Sequence, residues 1–155
     1  MHKATRVLLL AGALSVSACV PPRFLMEAEN ARTNTHIALA FEETVFNKHH
    51  VREGFSRYVA ADYREHDAGL PDGFDGSAKA LDMSLSGPLA NSHVVVQRSV
   101  AQHDLVAVEA LWDQHPGEGG DIARVDIYRL VNARIVEHWS VQQSTSPSTN
   151  GKAAP

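Results

Sequence analysis

The residues with the means to move protons lie in two stretches, His66-Asp67 and 126–138. Asp126 sits in Arg124–Leu130 between bulky neighbours, and a carboxylate so placed must be solvated, paired or functional. His66 and His138 belong to the one side-chain type whose ordinary titration falls near neutral pH, so each is either a hydrogen-bonded wall residue or a general acid or base. Asp67 opens a loop rich in Gly and Asp, where it is either a solvated turn residue or a proton acceptor. Asp126 has a plainer role open to it as well, pairing with Arg124, Arg129 or a histidine of a neighbouring strand. Tyr63, Trp112, Tyr128 and Trp139 are the aromatics that either pack a core or line a substrate wall. The remaining histidines (His49, His50, His93, His103 and His115 among them) are scattered, and no His-x-His, His-Glu-x-x-His or cysteine pair gives ligand spacing, so no metal site is expected. No Gly-x-Ser-x-Gly elbow is present, and the single cysteine is Cys19, close to the N-terminus, which leaves no nucleophile of those kinds.

The elements that must position these residues follow from periodicity. Arg124–Gln142 reads as two alternating strands joined at Val131–Arg134, with Asn132 as the turn residue. On the first, Arg124, Asp126, Tyr128 and Leu130 share a face; on the second, strict alternation sets Ile135, Glu137, Trp139 and Val141 against Val136, His138, Ser140 and Gln142. Two further strands are expected at 92–102 and 105–114, the second alternating Val106, Val108, Ala110 and Trp112 against Leu105, Ala107, Glu109 and Leu111. Ahead of them come a long helix over 26–48, with Ile37, Phe41, Thr44 and Val45 on its apolar side and Glu42 and Glu43 near the other, a short helix over 51–59, an extended piece at 63–67 and a third helix over 77–85. Helices first and hairpin-linked strands afterwards mean an α+β fold with an antiparallel sheet. A curved sheet closing on a long helix leaves a pocket suited to small apolar molecules.

The 155 residues suffice for one domain with a core. Lys3 and Arg6, the apolar run 7–14 and Val16-Ser17-Ala18-Cys19 have the layout of a bacterial secretory signal. The last four residues resemble a lipobox, whose cysteine becomes the lipidated first residue of the mature protein. A lone cysteine has no disulfide partner within the chain, which favours that reading. The expected organisation is a signal over 1–18, the lipidated Cys19 and a tether over 19–30, a domain over 31–144 and a Ser/Thr/Pro-rich disordered tail over 145–155. The protein is then expected in the cell envelope, anchored to the outer membrane and facing the periplasm; Val20 after the cysteine suggests that membrane. Loss of residues 1–18 removes Lys3 and Arg6 and no acid, taking 14 basic and 18 acidic groups to 12 and 18. A net acidic domain without a Lys/Arg run is a poor nucleic-acid binder.

Phe41-Glu42-Glu43-Thr44-Val45-Phe46-Asn47, Tyr58-Val59, Asp62-Tyr63-Arg64-Glu65-His66-Asp67, Val125-Asp126-Ile127-Tyr128-Arg129-Leu130 and Ile135-Val136-Glu137-His138-Trp139 together resemble the SnoaL-like polyketide cyclase family of the nuclear transport factor 2-like superfamily. The resemblance implies a cone-shaped α+β fold, in which a curved antiparallel sheet wraps three N-terminal helices around a central pocket, and dimerisation through the sheet. It also implies cofactor-independent acid–base chemistry on a small hydrophobic carbonyl compound: aldol cyclisation, isomerisation or dehydration. In those terms Asp67 or His66 would move the proton. Asp126, kept neutral by burial, or His138 would stabilise the oxyanion, and Tyr63, Trp112, Tyr128 and Trp139 would shape the wall. The chain departs from the family pattern where Asp67-Ala68 replaces Asn-Pro, Ser140 replaces Asp, and Ala133 replaces the turn glycine. A non-catalytic binding or dimerisation module is the alternative.

Overall fold

The computed structural model describes residues 22–116 and 121–145. The expected signal, Cys19 and the tail beyond Thr145 lie outside them. The elements run α1 (Pro22–Glu42), a π-helical turn (Glu43–Asn47), α2 (Val51–Tyr58), β1 (Val59–Glu65), α3 (Phe74–Leu85), β2 (His93–Gln102), β3 (Leu105–Asp113), β4 (Ile122–Val131) and β5 (Arg134–Ser144). The α+β reading holds. The five strands form one sheet in the order β1-β5-β4-β3-β2. Every pairing is antiparallel except that of β1 with β5 at one edge. The parallel edge arises because α3 and three strands separate β1 from its partner, so no hairpin can set its direction.

Helix α1 begins at Pro22, so residues 22–30, expected as tether, are helical. Its first turns stand clear of the domain, with Phe24, Leu25 and Met26 exposed. Its second half packs inward through Asn34, Ala38, Phe41 and Glu42. The helix then widens. The Thr44 hydroxyl donates to the Ala40 carbonyl at 2.7 Å, the acceptor that an α-helical Thr44 N–H would use, and Lys48 N–H reaches back five residues to Glu43 O. The extra residue per turn brings Phe41, Glu42, Val45 and Phe46 all inside. Helix α2 crosses this turn closely at Gly54, where a Cβ would meet Val45 Cγ2 at 2.5 Å. Asn47 finishes the segment by bonding both N–H and C=O of Val94 at the start of β2.

Val106, Val108, Ala110 and Trp112 face the core as their alternation predicts. Strand β5 departs from strict alternation. Arg129 pairs with Glu137 and Leu130 with Ile135, leaving Val136 as a bulge. Ile135 and His138 therefore both point inward, while Glu137 and Trp139 face outward. The β4–β5 turn holds Asn132 at φ 50° and Ala133 at φ 59°. Left-handed backbone at a non-glycine residue is strained. Ala133→Gly is expected to stabilise the domain by about 1 kcal/mol, net of the entropy that glycine loses on folding, read as a higher urea midpoint with unchanged slope; an unchanged or lower midpoint would show the turn to be unstrained.

Aromatic rings occupy the space between helices and sheet. Phe41 meets Phe55, Tyr128 and Phe46 edge-on, Phe46 meets Trp112, and Phe55 meets Tyr63 and Phe74. What remains open is a cleft of about 150 Å³ at one end of the cone, walled by the β1–α3 loop, α3 and the inner ends of β3, β4 and β5.

Candidate active site

Alternation along β4 sends Arg124, Asp126 and Tyr128 to the inner face, at 5%, 1% and 1% exposure. Two ionisable groups two residues apart on one buried strand face must pair, and they do. Arg124 gives Nε at 2.7 Å and Nη2 at 2.5 Å to Asp126 Oδ1. The same oxygen accepts from His138 Nε2 at 2.8 Å. On its other side His138 Nδ1 donates to Glu65 Oε1 at 2.8 Å, and Glu65 Oε2 accepts from Tyr63 OH at 2.5 Å. Glu65 Oε1 also accepts the backbone N–H of Asp67 at 2.9 Å. One hydrogen-bonded chain thus runs Arg124–Asp126–His138–Glu65–Asp67 across the inner face.

Its two ends line the cleft: Arg124 from β4 and Asp67 from the β1–α3 loop, among Leu70, Leu81, Leu85 and Trp112. The Asp67 carboxylate accepts from the Gly69 N–H at 2.7 Å and from the Ser140 hydroxyl. The Arg124 guanidinium lies over the rings of Phe46 at 4.6 Å and Trp112 at 5.1 Å. With Nε and Nη2 taken by Asp126, its Nη1 has no hydrogen-bond partner among the described residues. A wider hollow of about 440 Å³ between α1 and the β4–β5 turn is walled by Glu27, Asn34, His103 and Asn132 and holds none of this network.

The surroundings set the charge on each group. Burial alone would push the Asp126 carboxyl up; Arg124 and His138 outweigh it and hold it below the usual carboxylate range. Burial pulls His138 down, and its bonds to Asp126 and Glu65 outweigh that and push it up to about 9. Asp67 is likewise held below its ordinary value, the Ser140 hydroxyl and Gly69 N–H overcoming partial burial. Glu42 goes the other way. Buried at the end of α1 and repelled by Asp126, its carboxyl rises to about 7, although Tyr128 OH donates to its Oε1 at 2.5 Å.

The expected site residues therefore separate into three groups. Asp67 and Trp112 line the cleft. Asp126 and His138 converge in the interior but are ion-paired: Asp126 is ionised rather than neutral, and His138 is a fixed cation rather than a neutral base. Tyr63 and Tyr128 are core residues that orient Glu65 and Glu42 and form no part of the cleft wall. His66 and Trp139 stand on the opposite, outer face of the sheet, stacked at 4.5 Å, with His66 bonded to Glu137 and Arg129 bridging to the same carboxylate. The bulge at Val136 does not reverse them, since Trp139 pairs with the outward Ile127. Three participants were not singled out from the sequence as part of a site. Arg124 was legible as a partner two residues from Asp126 on one face. Glu65 shares the parity of Tyr63. An ideal helix would put Glu42 on the solvent side, and the π-helical turn brings it inside.

A family model for the SnoaL-like domain matches residues 38–138. Comparison with curated proteins gives no match. Among solved structures, the chain is similar to a candidate polyketide cyclase from Acidithiobacillus ferrooxidans, with a TM-score of 0.60 and 20% identity over 72% of this chain and 88% of that one. It is also similar to IdmH, a candidate polyketide cyclase from Streptomyces antibioticus, with a TM-score of 0.58 and 19% identity over 71% and 91% of the two chains. A nuclear transport factor 2-like protein of unknown function from Mesorhizobium loti aligns with a TM-score of 0.60 and 14% identity over 74% and 93%. At these identities the likeness carries the fold.

Proposed function

Because the chain belongs to the SnoaL-like domain family, we propose that its cleft binds a small hydrophobic carbonyl compound and that Asp67 and Arg124 act on it as base and oxyanion donor. The observation that carries this reading is that a carboxylate and a guanidinium with a spare N–H line one cleft of mixed apolar and polar side chains, joined behind it by a single chain of hydrogen bonds. The ligand's carbonyl oxygen would face Arg124 Nη1. Asp67 would take a proton from the carbon beside the carbonyl, and the C–H electron pair would pass to the oxygen as an enolate, which Arg124 stabilises. Return of the proton at another carbon gives isomerisation; attack of the enolate carbon on a second carbonyl gives an aldol product. Asp126 and His138 are then positioning residues that hold Arg124. Relative to the family pattern the sequence resembles, Asp67 stands in place of Asn and Ser140 in place of Asp, so the hydrogen-bonded pair keeps one carboxylate and carries it on the loop.

The test is deuterium uptake beside the carbonyl of ring-sized ketones in D2O, followed by NMR. Asp67→Asn is expected to slow uptake roughly 100-fold or more and to leave ketone affinity within about threefold, since the amide is isosteric. Uptake unchanged by this substitution would remove Asp67 as the base. A second reading, ligand binding without turnover, draws on a specific feature: both Asp67 oxygens already accept hydrogen bonds, which weakens it as a base. Saturable ketone binding by the wild type without uptake would establish that reading.

We also propose that Cys19 carries lipid and holds the domain at a bacterial envelope membrane. The basis is the sequence pattern around it. Cys19→Ala should move the protein from the membrane to the soluble fraction; retention in the membrane fraction would refute lipid anchoring at this residue.

A further inference from the structure

Trp112 carries a donor that the fold leaves unused. The residue is 7% exposed and its indole Nε1–H is buried, yet it has no hydrogen-bond partner among the described residues. Buried indole N–H groups are normally paired, and an unpaired one costs stability that a ligand acceptor can recover. Trp112 lines the same cleft as Arg124, and its ring lies 5.1 Å from the guanidinium carbon. Arg124 is held there by Asp126 through Nε and Nη2, and its Nη1 makes no hydrogen bond to a described residue. Two N–H groups on adjacent strands are therefore without an acceptor among the described residues. The cleft's volume of about 150 Å³ is that of a cavity that holds a benzene-sized molecule, so a single ring fits.

We propose that Trp112 is the specificity-determining donor of the cleft: its Nε1–H and Arg124 Nη1–H together receive one negatively polarised oxygen, so the site selects single-ring ketones and their enolates over hydrocarbons of the same shape. The inference rests on the ligand-site reading above and narrows it to a ligand size and to one recognised atom. An enolate binds better than its parent ketone, because charge on the acceptor strengthens both bonds. Asp67 limits that preference to oxygens at the Arg124 end, since a second anionic oxygen beside it is repelled.

The test uses the full chain and three probes: cyclohexane-1,3-dione, which is an enolate at neutral pH, cyclohexanone, and methylenecyclohexane, in which CH2 replaces the ketone oxygen. The chain has two tryptophans, so the indole region of a proton–nitrogen NMR spectrum holds two signals, assigned with Trp139→Phe. Binding of the dione is expected to move the Trp112 Nε1–H signal downfield and leave that of Trp139, on the outer face, in place. Trp112→Phe is expected to weaken dione and cyclohexanone binding roughly tenfold and to leave methylenecyclohexane binding unchanged. A Trp112 signal that stays put while the dione binds would overturn the proposal even if the variant failed to fold. Equal weakening of all three probes would overturn it too, by showing a packing role. Failure of the wild type to bind any of the three would reject the ligand-site reading itself.

Discussion

Asp126→Ala is expected to destabilise the domain by about 3–5 kcal/mol, because it leaves the buried Arg124 and His138 cations facing each other without their shared anion. Both donate to one carboxylate oxygen, and both are at most 5% exposed. Surface pairs such as Lys48–Glu43, 3.8 Å apart with both side chains more than half exposed, are worth at most about 1 kcal/mol by comparison. Asp126→Asn should fall between, since the amide oxygen can accept but carries no charge. Urea unfolding at pH 7 measures both. A loss under about 1 kcal/mol for the alanine variant would mean that the cations are solvated, and the interior network would then be incidental. This expectation departs from the one drawn from the sequence, in which an Asp126 kept neutral by burial stabilises the oxyanion.

The second large effect is on the pH dependence of stability. Glu42, raised from 4.5 to about 7, holds a proton in the folded chain that the unfolded chain releases between those values, so stability falls as pH rises through that window. For one group this amounts to something on the order of 3 kcal/mol. His138, raised from 6.5 to about 9, contributes stability that is complete below pH 6.5 and is lost as pH rises through 9. Asp67 and Asp126, held low, contribute stability that is present above their unfolded value of 3.8 and is lost only in stronger acid. The stability maximum is therefore expected near pH 4–5, with a decline up to pH 9. Glu42→Gln keeps a neutral group beside Tyr128. It should flatten the slope between pH 4.5 and 7 and make the variant more stable than wild type at pH 8. A profile flat or rising between pH 5 and 7 in the wild type would contradict a protonated Glu42.

The class of fold was legible because the strands from β2 onward are joined by short turns and carry period-two patterns, so Val106, Val108, Ala110 and Trp112 declared their face directly. The family match and the solved structures agree with that reading. Two irregularities escaped it, and both decide the site. The bulge at Val136 adds one residue to β5, which lets Ile135 and His138 share the inner face against strict alternation. The π-helical turn adds one residue per turn after Glu42, which brings that acid inside. Neither has a local composition that marks it; each is fixed by the packing of distant segments. Asp126 was legible as an inward acid, and Arg124 stood two residues away. What the sequence withheld was which of Arg124, Arg129 and His138 would meet it. The strand settles that by parity, since Arg129 goes outward to Glu137 and Asp104.

The early start of α1 bears on how the domain would sit in the envelope. Among the described residues α1 starts three positions after Cys19, which puts Cys19 within at most about 10 Å of it. With the lipid on Cys19 that we propose, the helix end carrying Phe24, Leu25 and Met26 would be held among the headgroups, and the domain would stand off by the length of a rod of about 30 Å at most. Such a protein would meet compounds that partition into the bilayer and would sample little of the surrounding fluid.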